Sequence, residues 1–301
     1  MQYRPLGNTN LTVSEIGMGC NRLGESQQTD AFWIDLVLKA IDLGVTLFDT
    51  CEAYGWGRSE DILGQAIGNN ASVLIADKVS RVRDSGAKDF TADRIVARAE
   101  ESLRRLHRDR IDIFQLHSPG LDDMQRDNWA EGMARLKAQG KIAVAGVSIN
   151  DAPSGLWLME NDLVDVMQVA YNLIAPQVGH TLFDLAEAKG VGILVREPMA
   201  RGVLTGKFSP DQPVAKGHRA LLSGDRLPEM IQQAEVYRPI AAEAGIPMGA
   251  LALRYDLAHK GVSAVIPGAR TLEQLQMNVS ASDGPPLAQP ILDQIAAIQQ
   301  K

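Results

Sequence analysis

Four side chains of complementary chemistry follow apolar runs in the first half of the chain. Asp49 and Tyr54 come after Val45–Phe48, Lys78 after a run at 72–77, and His117 after Ile111–Leu116. A phenol, with its pKa near about 10, is a reluctant proton donor at neutral pH. A cation about 4 Å away in partly screened surroundings is worth roughly 4 kcal/mol, or about three pKa units. Lys78 is therefore expected to bring Tyr54 near neutrality. The apolar run that Lys78 ends would discharge a lone ammonium, and pairing with Asp49 opposes this. Taken singly, these residues have plainer readings: an Asp after a strand caps a helix, a tyrosine packs, a histidine sits satisfied in the core. A lysine closing an apolar run is harder to explain without a partner. Together the residue types make a proton-transfer set.

Such a set needs elements that bring it together, and residues 44–68 show how. Val45–Phe48 is β-rich, follows a helix ending at Gly44, and reads as a buried parallel strand. Gly55 and Gly57 mark a turn, Ser59 offers an N-cap, and Ile62, Leu63, Ala66 and Ile67 form an apolar helical stripe. Asp49 and Tyr54 thus lie on a loop leaving the C-terminal end of a strand, where barrel enzymes keep their chemistry.

The same beat runs through the chain. Residues 3–15 read as a β-hairpin around Gly7–Asn10, followed by a short strand at Ile16–Gly19. Further strands are expected at 72–77, 111–116, 142–147, 164–170, 191–195 and 263–266. Helices are expected at 29–43, 59–68, 91–106, 122–139, 153–160, 179–189, 229–244, 248–260, 271–281 and 288–300. Eight alternating units with apolar strands imply an α/β fold with a parallel sheet covered by helices. Their number favours a closed (β/α)8 TIM barrel, with the N-terminal β-hairpin and a C-terminal extra helix, as a single domain over residues 1–301. The rival, a doubly wound dinucleotide fold, needs Gly-x-Gly-x-x-Gly, and the nearest match, Gly17-Met-Gly-Cys-Asn-Arg22, ends on arginine. Residues 206–228 show no steady period, as in a functional flap or plain disorder.

Composition narrows the function classes. With 30 basic and 37 acidic residues the net charge is −7, which argues against nucleic acid or anionic membranes as partners. No apolar signal region and no 18-residue apolar run occur. Cys20 and Cys51 make neither a disulfide framework nor a zinc spacing, and no metal is expected. A soluble cytoplasmic protein is the plain reading. Nothing in the sequence sets its oligomeric state.

Residues 48–64 resemble the aldo-keto reductase family nearly position for position: Phe-Asp-Thr-x-x-x-Tyr-Gly, then Ser-Glu and Leu-Gly. Ala-Asp-Lys78 is similar to the family's Ala-Thr-Lys, and Gln-Leu-His117 to its Gln-Leu-His. The resemblance implies that Asp49, Tyr54, Lys78 and His117 are the catalytic tetrad. Hydride transfer to a carbonyl leaves an alkoxide, Tyr54 supplies its proton, and His117 orients the carbonyl.

A cofactor trail extends the resemblance from Tyr3 to Asn278. It implies contacts from Gly19, Cys20 and Asp49, and a grip on the nicotinamide carboxamide by Ser148 and Gln168. Ile149 stands where the family often has Asn, with Asn150 a partial replacement. Residues 196–207 are similar to the family's loop over the pyrophosphate, implying contacts from Pro198, Gly202, Leu204 and Lys207. Arg196 takes the place of the aromatic that stacks on the nicotinamide, and a guanidinium plane can also stack on a ring. Ile266-Pro-Gly268 with Arg270, Gln274 and Asn278 matches the adenosine segment, with Met277 in place of a glutamate. Arg270 at a helix start suits a 2′-phosphate, favouring NADPH (NADP+) over NADH.

The resemblance thus implies NADPH-dependent reduction of an aldehyde or ketone, a small-molecule carbonyl substrate. The alternatives are an NAD(P)+-dependent aldose or alcohol dehydrogenase, and a cofactor-binding regulatory subunit with little turnover. Which carbonyl is reduced is not written in the sequence. Both cysteines fall near the expected site, so oxidation is a further expected influence on activity.

Overall fold

In the barrel strands, residue parity decides which side chains meet the axis and which meet the surrounding helices. The computed structural model describes residues 1–210 and 226–300. Eight parallel strands pair in chain order: β3 (Met18–Gly19), β4 (Leu47–Asp49), β5 (Leu74–Val79), β6 (Ile111–His117), β7 (Ile142–Ile149), β8 (Val166–Ala170), β9 (Gly192–Arg196) and β10 (Val262–Val265). The two edges of this sheet meet. Gly17 N–H donates to the Val265 carbonyl at 2.8 Å, and Val265 N–H donates to that of Glu15 at 2.9 Å. The ring is the expected (β/α)8 barrel.

One end of the barrel is plugged. The antiparallel hairpin β1 (Tyr3–Pro5) and β2 (Thr12–Ser14) packs Leu6 and Val13 onto inward residues near the strand starts, among them Leu47, Ala76, Ile113, Val144, Val166 and Leu194. A fully buried side chain of this size contributes about 1.5–3 kcal/mol. Gly7 makes the close approach: its φ is +54°, and a Cβ there would stand 2.4 Å from the Gly190 carbonyl oxygen. The opposite, C-terminal end stays open, so polar side chains late in each strand share one bowl.

Helices cover the outside. Helix α1 (Asp30–Asp42) is capped by Thr29, whose hydroxyl accepts the Phe32 N–H, and it buries Trp33, Leu36, Val37 and Ala40. Helices α2 (Arg58–Ala66) and α3 (Ala92–Leu106) flank β5. The extra helix Gln289–Gln299 closes the chain, burying Ile291 and Ile295. Among the described residues, no helix is long and apolar enough to cross a membrane.

Three local expectations are corrected. The helix expected over 122–139 is two, Leu121–Arg126 and Trp129–Ala138. Asp127 is extended between them, and the side chains of Asp127 and Asn128 accept the N–H groups of Phe90 and Ala92 at the start of α3. Short polar side chains compete with helical hydrogen bonding in this way. The stretch 229–244 likewise splits into Leu227–Glu235 and Arg238–Glu243, because Pro239 has no N–H to continue the first helix. Ser59 is no N-cap. Gly57, at φ +104°, precedes the first turn of α2, and the Ser59 hydroxyl donates to the Cys20 carbonyl at 2.9 Å beside Thr50. Most of the aperiodic 206–228 segment, residues 211–225, lies outside the described residues.

Candidate active site

Inward parity at the strand ends selects Asp49 on β4, Lys78 on β5, His117 on β6, Ser148 on β7, Gln168 on β8 and Arg196 on β9, and register aligns them. Lys78 pairs with Gln115, His117 with Ser148, Ser148 with Gln168, and Ala170 with Arg196. Lys78 is fully buried. Its Nζ donates to Asp49 Oδ1 and to the Thr50 carbonyl, both at 2.7 Å. Gln168 Nε2 donates to Asp49 Oδ2 at 2.6 Å, and Ser148 Oγ donates to Gln168 Oε1 at 3.4 Å. One hydrogen-bonded chain therefore runs from the lysine to the residues expected to hold a carboxamide.

Tyr54 stands over this chain, with Lys78 Nζ 5.3 Å from its ring centroid. The His117 ring meets it edge-on at 5.9 Å. Both rings keep part of their surface on a cavity of about 810 Å³, which is also lined by Asp49, Gln168 and Arg196. Burial pulls the Lys78 pKa down, but Asp49, Tyr54 and Cys51 outweigh it, so the ammonium is held charged. The expectation for Tyr54 is corrected. Burial pushes the phenol above its ordinary value, and Lys78 recovers only part of that shift. The sequence showed the cation but not the desolvation that opposes it. Burial first, then Lys78, Arg196 and Arg81, lower His117 to about 3, so its imidazole is neutral at pH 7.

The expected cofactor residues spread along the same cavity. Gly19, Cys20, Pro198, Gly202, Lys207, Gly268, Arg270, Gln274 and Asn278 line it. Ser148 and Leu204 are fully buried and lie outside that lining. Gly202, at φ +92°, turns the 196–207 loop in a conformation that suits glycine. Arg196 is tethered: Nη2 donates to the Ile149 carbonyl at 3.1 Å and to Asn150 Oδ1 at 2.9 Å, and Nη1 to Glu197 at 3.2 Å. Asn150 is therefore engaged by Arg196, while the Ile149 side chain is buried in the outer core.

At the far end, Thr271 caps helix Leu272–Ser280, and the Arg270 N–H donates to Gln274 Oε1 at 2.9 Å. Arg270 lies 3.6 Å from Glu25, which also pairs with Arg22. Burial and then Arg22 lower the Arg270 pKa. Two guanidinium groups meet at Glu25 here, a set of donors that fits a phosphate. A long cavity with amide and hydroxyl groups at one end and guanidinium groups at the other fits a nicotinamide dinucleotide.

Several lining residues were not singled out in the sequence: Asn21, Arg22, Glu197, Met199, Pro247 and Gly249. Asn21 and Arg22 follow a strand end, a signal that could have found them. Pro247 and Gly249 sit at the start of helix Met248–Ala258, where the Gly245-Ile-Pro247 turn was the available cue. Glu197, at φ +57°, lies within the 196–207 match, but nothing there marked it out from its neighbours.

The sequence profile of the Aldo/keto reductase family matches residues 15–300. An L-galactose dehydrogenase from Arabidopsis thaliana is 30% identical, covering 93% of this chain and 88% of its own. An NADH-specific methylglyoxal reductase from Escherichia coli (strain K12) is 26% identical, covering 93% of each. The solved holo form of an aldo-keto reductase from Bacillus halodurans is 27% identical with a TM-score of 0.84, covering 99% of this chain and 96% of that one.

Proposed function

The chain belongs to the aldo-keto reductase family, and on that premise we propose that it reduces an aldehyde or ketone to the alcohol with NADPH, Tyr54 supplying the proton. The observation that carries the reading is one constellation: Tyr54 and His117 on the cavity, over a charged Lys78 held by Asp49 at 2.7 Å. Bound nicotinamide would supply the hydride. The protein's own groups do the rest.

His117, lowered to about 3, is a neutral hydrogen-bonding group at pH 7 and has no spare proton to give. The acid role falls to Tyr54. Its raised pKa keeps the phenol protonated, and an alkoxide remains the stronger base, so transfer toward it is downhill. Lys78 stabilises the phenolate as the proton leaves. Running the reaction backwards needs a phenolate to take a proton, which the raised pKa opposes at neutral pH. Reduction thus uses the form of Tyr54 that predominates at neutral pH, whereas dehydrogenation, the activity in the name of the Arabidopsis relative, needs the scarce one.

The paired guanidinium groups of Arg22 and Arg270 support NADPH over NADH, the cofactor in the name of the Escherichia coli relative. We further propose a single barrel domain in the cytoplasm, acting on small molecules and not on nucleic acid or membranes. The two buried free thiols suit a reducing compartment.

The test is consumption of NADPH against a panel of small aldehydes and ketones, with NADH run in parallel, by wild type and Tyr54→Phe. Wild-type turnover should fall about 10²–10⁴-fold in the variant while NADPH still binds. Tight NADPH binding without turnover of any carbonyl would replace this reading with a regulatory, cofactor-sensing one.

A further inference from the structure

Cys51 makes a contact that the proton-transfer set leaves unexplained. Its Sγ lies 3.0 Å from Nδ1 of His117 and 3.5 Å from the Lys78 carbonyl oxygen, and it accepts the Ala53 N–H at 3.4 Å. A cysteine within hydrogen-bond reach of a histidine is the arrangement of an activated nucleophile. Here that role is closed. Cys51 is fully buried and absent from the cavity lining, so a substrate carbon has no approach to the sulfur. Burial also pushes the thiol well above its ordinary value and the imidazole to about 3, so the two meet as neutral groups. Oxidative tuning through this thiol, expected from the sequence, is opposed by the same burial.

A neutral imidazole carries one N–H, and its position decides what the ring can do. Nδ1 faces buried Cys51, which leaves the Nε2 edge for the cavity. If the thiol donates to Nδ1, Nε2 carries the hydrogen and offers a donor. If Nδ1–H donates to sulfur instead, the thiol must turn to the Lys78 carbonyl at 3.5 Å, and Nε2 offers a lone pair. A carbonyl oxygen is itself an acceptor, so only the first arrangement lets His117 hold one.

We infer that Cys51 is a positioning residue: its S–H donates to His117 Nδ1 and fixes the Nε2–H tautomer that presents a donor to the cavity. The choice of tautomer rests on the reductase reading; its measurement by NMR does not depend on turnover.

The test is a histidine-¹⁵N multiple-bond correlation spectrum of the whole protein, with His117 assigned by its loss in His117→Gln. Wild type should show the Nε2–H form, Cys51→Ser should keep it, and Cys51→Ala should gain Nδ1–H population. In kinetics, Cys51→Ala should lower kcat about tenfold with the KM for NADPH unchanged, and Cys51→Ser should restore much of it. A wild-type spectrum with Nδ1 protonated, or a Cys51→Ala spectrum like the wild type, would overturn the inference. Should Cys51→Ala not fold, the wild-type spectrum decides alone. Absence of turnover throughout would remove the reductase reading and leave the tautomer assignment standing.

Discussion

Asp77 and Lys78 are neighbours on β5 and both are fully buried, yet they face opposite sides of the barrel wall. Lys78 points inward and meets Asp49 and the Thr50 carbonyl, each at 2.7 Å. Asp77 points outward toward α2 and α3, and neither of its oxygens closes a hydrogen bond. Nearby, the buried Glu60 already takes Arg105 at 2.7 Å. Burial first, then the charge of Glu60, pushes the Asp77 carboxyl well above the usual range, toward the neutral form, whereas Lys78 is held charged. A buried charge survives only with a partner of opposite sign; without one the group discharges. The inward residue keeps its charge through its partner, and the outward one is a cost to the fold.

The strongest way to break this contrast is to orphan Lys78 as well. In Asp49→Asn the ammonium loses its charged partner, and breaking a buried pair in this way costs about 3–5 kcal/mol. Urea unfolding should show that loss, and carbonyl reduction should fall about 10²–10⁴-fold, as for a displaced proton-transfer group. The double variant Asp49→Asn with Lys78→Met should recover much of the stability and none of the activity. Recovered activity in the double variant would remove the pair from the mechanism.

The pH profile sharpens the inner half of the comparison. With His117 lowered to about 3 and Tyr54 raised above the ordinary tyrosine range, neither group titrates between pH 5 and about 9. The reduction rate should be level there and fall at higher pH, as Tyr54 loses the proton it must donate. A step near the ordinary histidine value of about 6.5 would show that His117 changes charge during turnover.

The architecture was legible, and so was the meeting of Asp49, Lys78 and His117 at one end of it, because six of the eight strands carry a polar side chain of inward parity near their C-terminal ends. The helix breaks were not, because Asp127 and Asn128 act on N–H groups at the start of α3, which no local pattern announces. Ser59 looked like a cap by type and position, but its hydroxyl is spent on the Cys20 carbonyl. Arg196 could be placed at a strand end, whereas its tether to Ile149 and Asn150 crosses between strands. The Cys51–His117 contact joins residues 66 apart. Desolvation, which sets the direction at Tyr54, depends on what surrounds the ring in three dimensions.

The outer half can be tested by removing its cost. Asp77→Asn keeps the size of the side chain and abolishes its titration. A carboxyl whose folded pKa is raised binds more protons in the folded state than in the unfolded one. Its contribution to stability is therefore greatest below about pH 3.9 and declines as pH rises toward the folded value. The variant should match the wild type in urea at pH 4 and exceed it at pH 8, by about 1.4 kcal/mol for each pH unit by which the folded value stands above the ordinary 3.9. Carbonyl reduction should stay unchanged, since the residue faces away from the cavity. A variant less stable than the wild type at pH 8 would mean that Asp77 is charged and partnered there, and the two faces of β5 would then obey one rule.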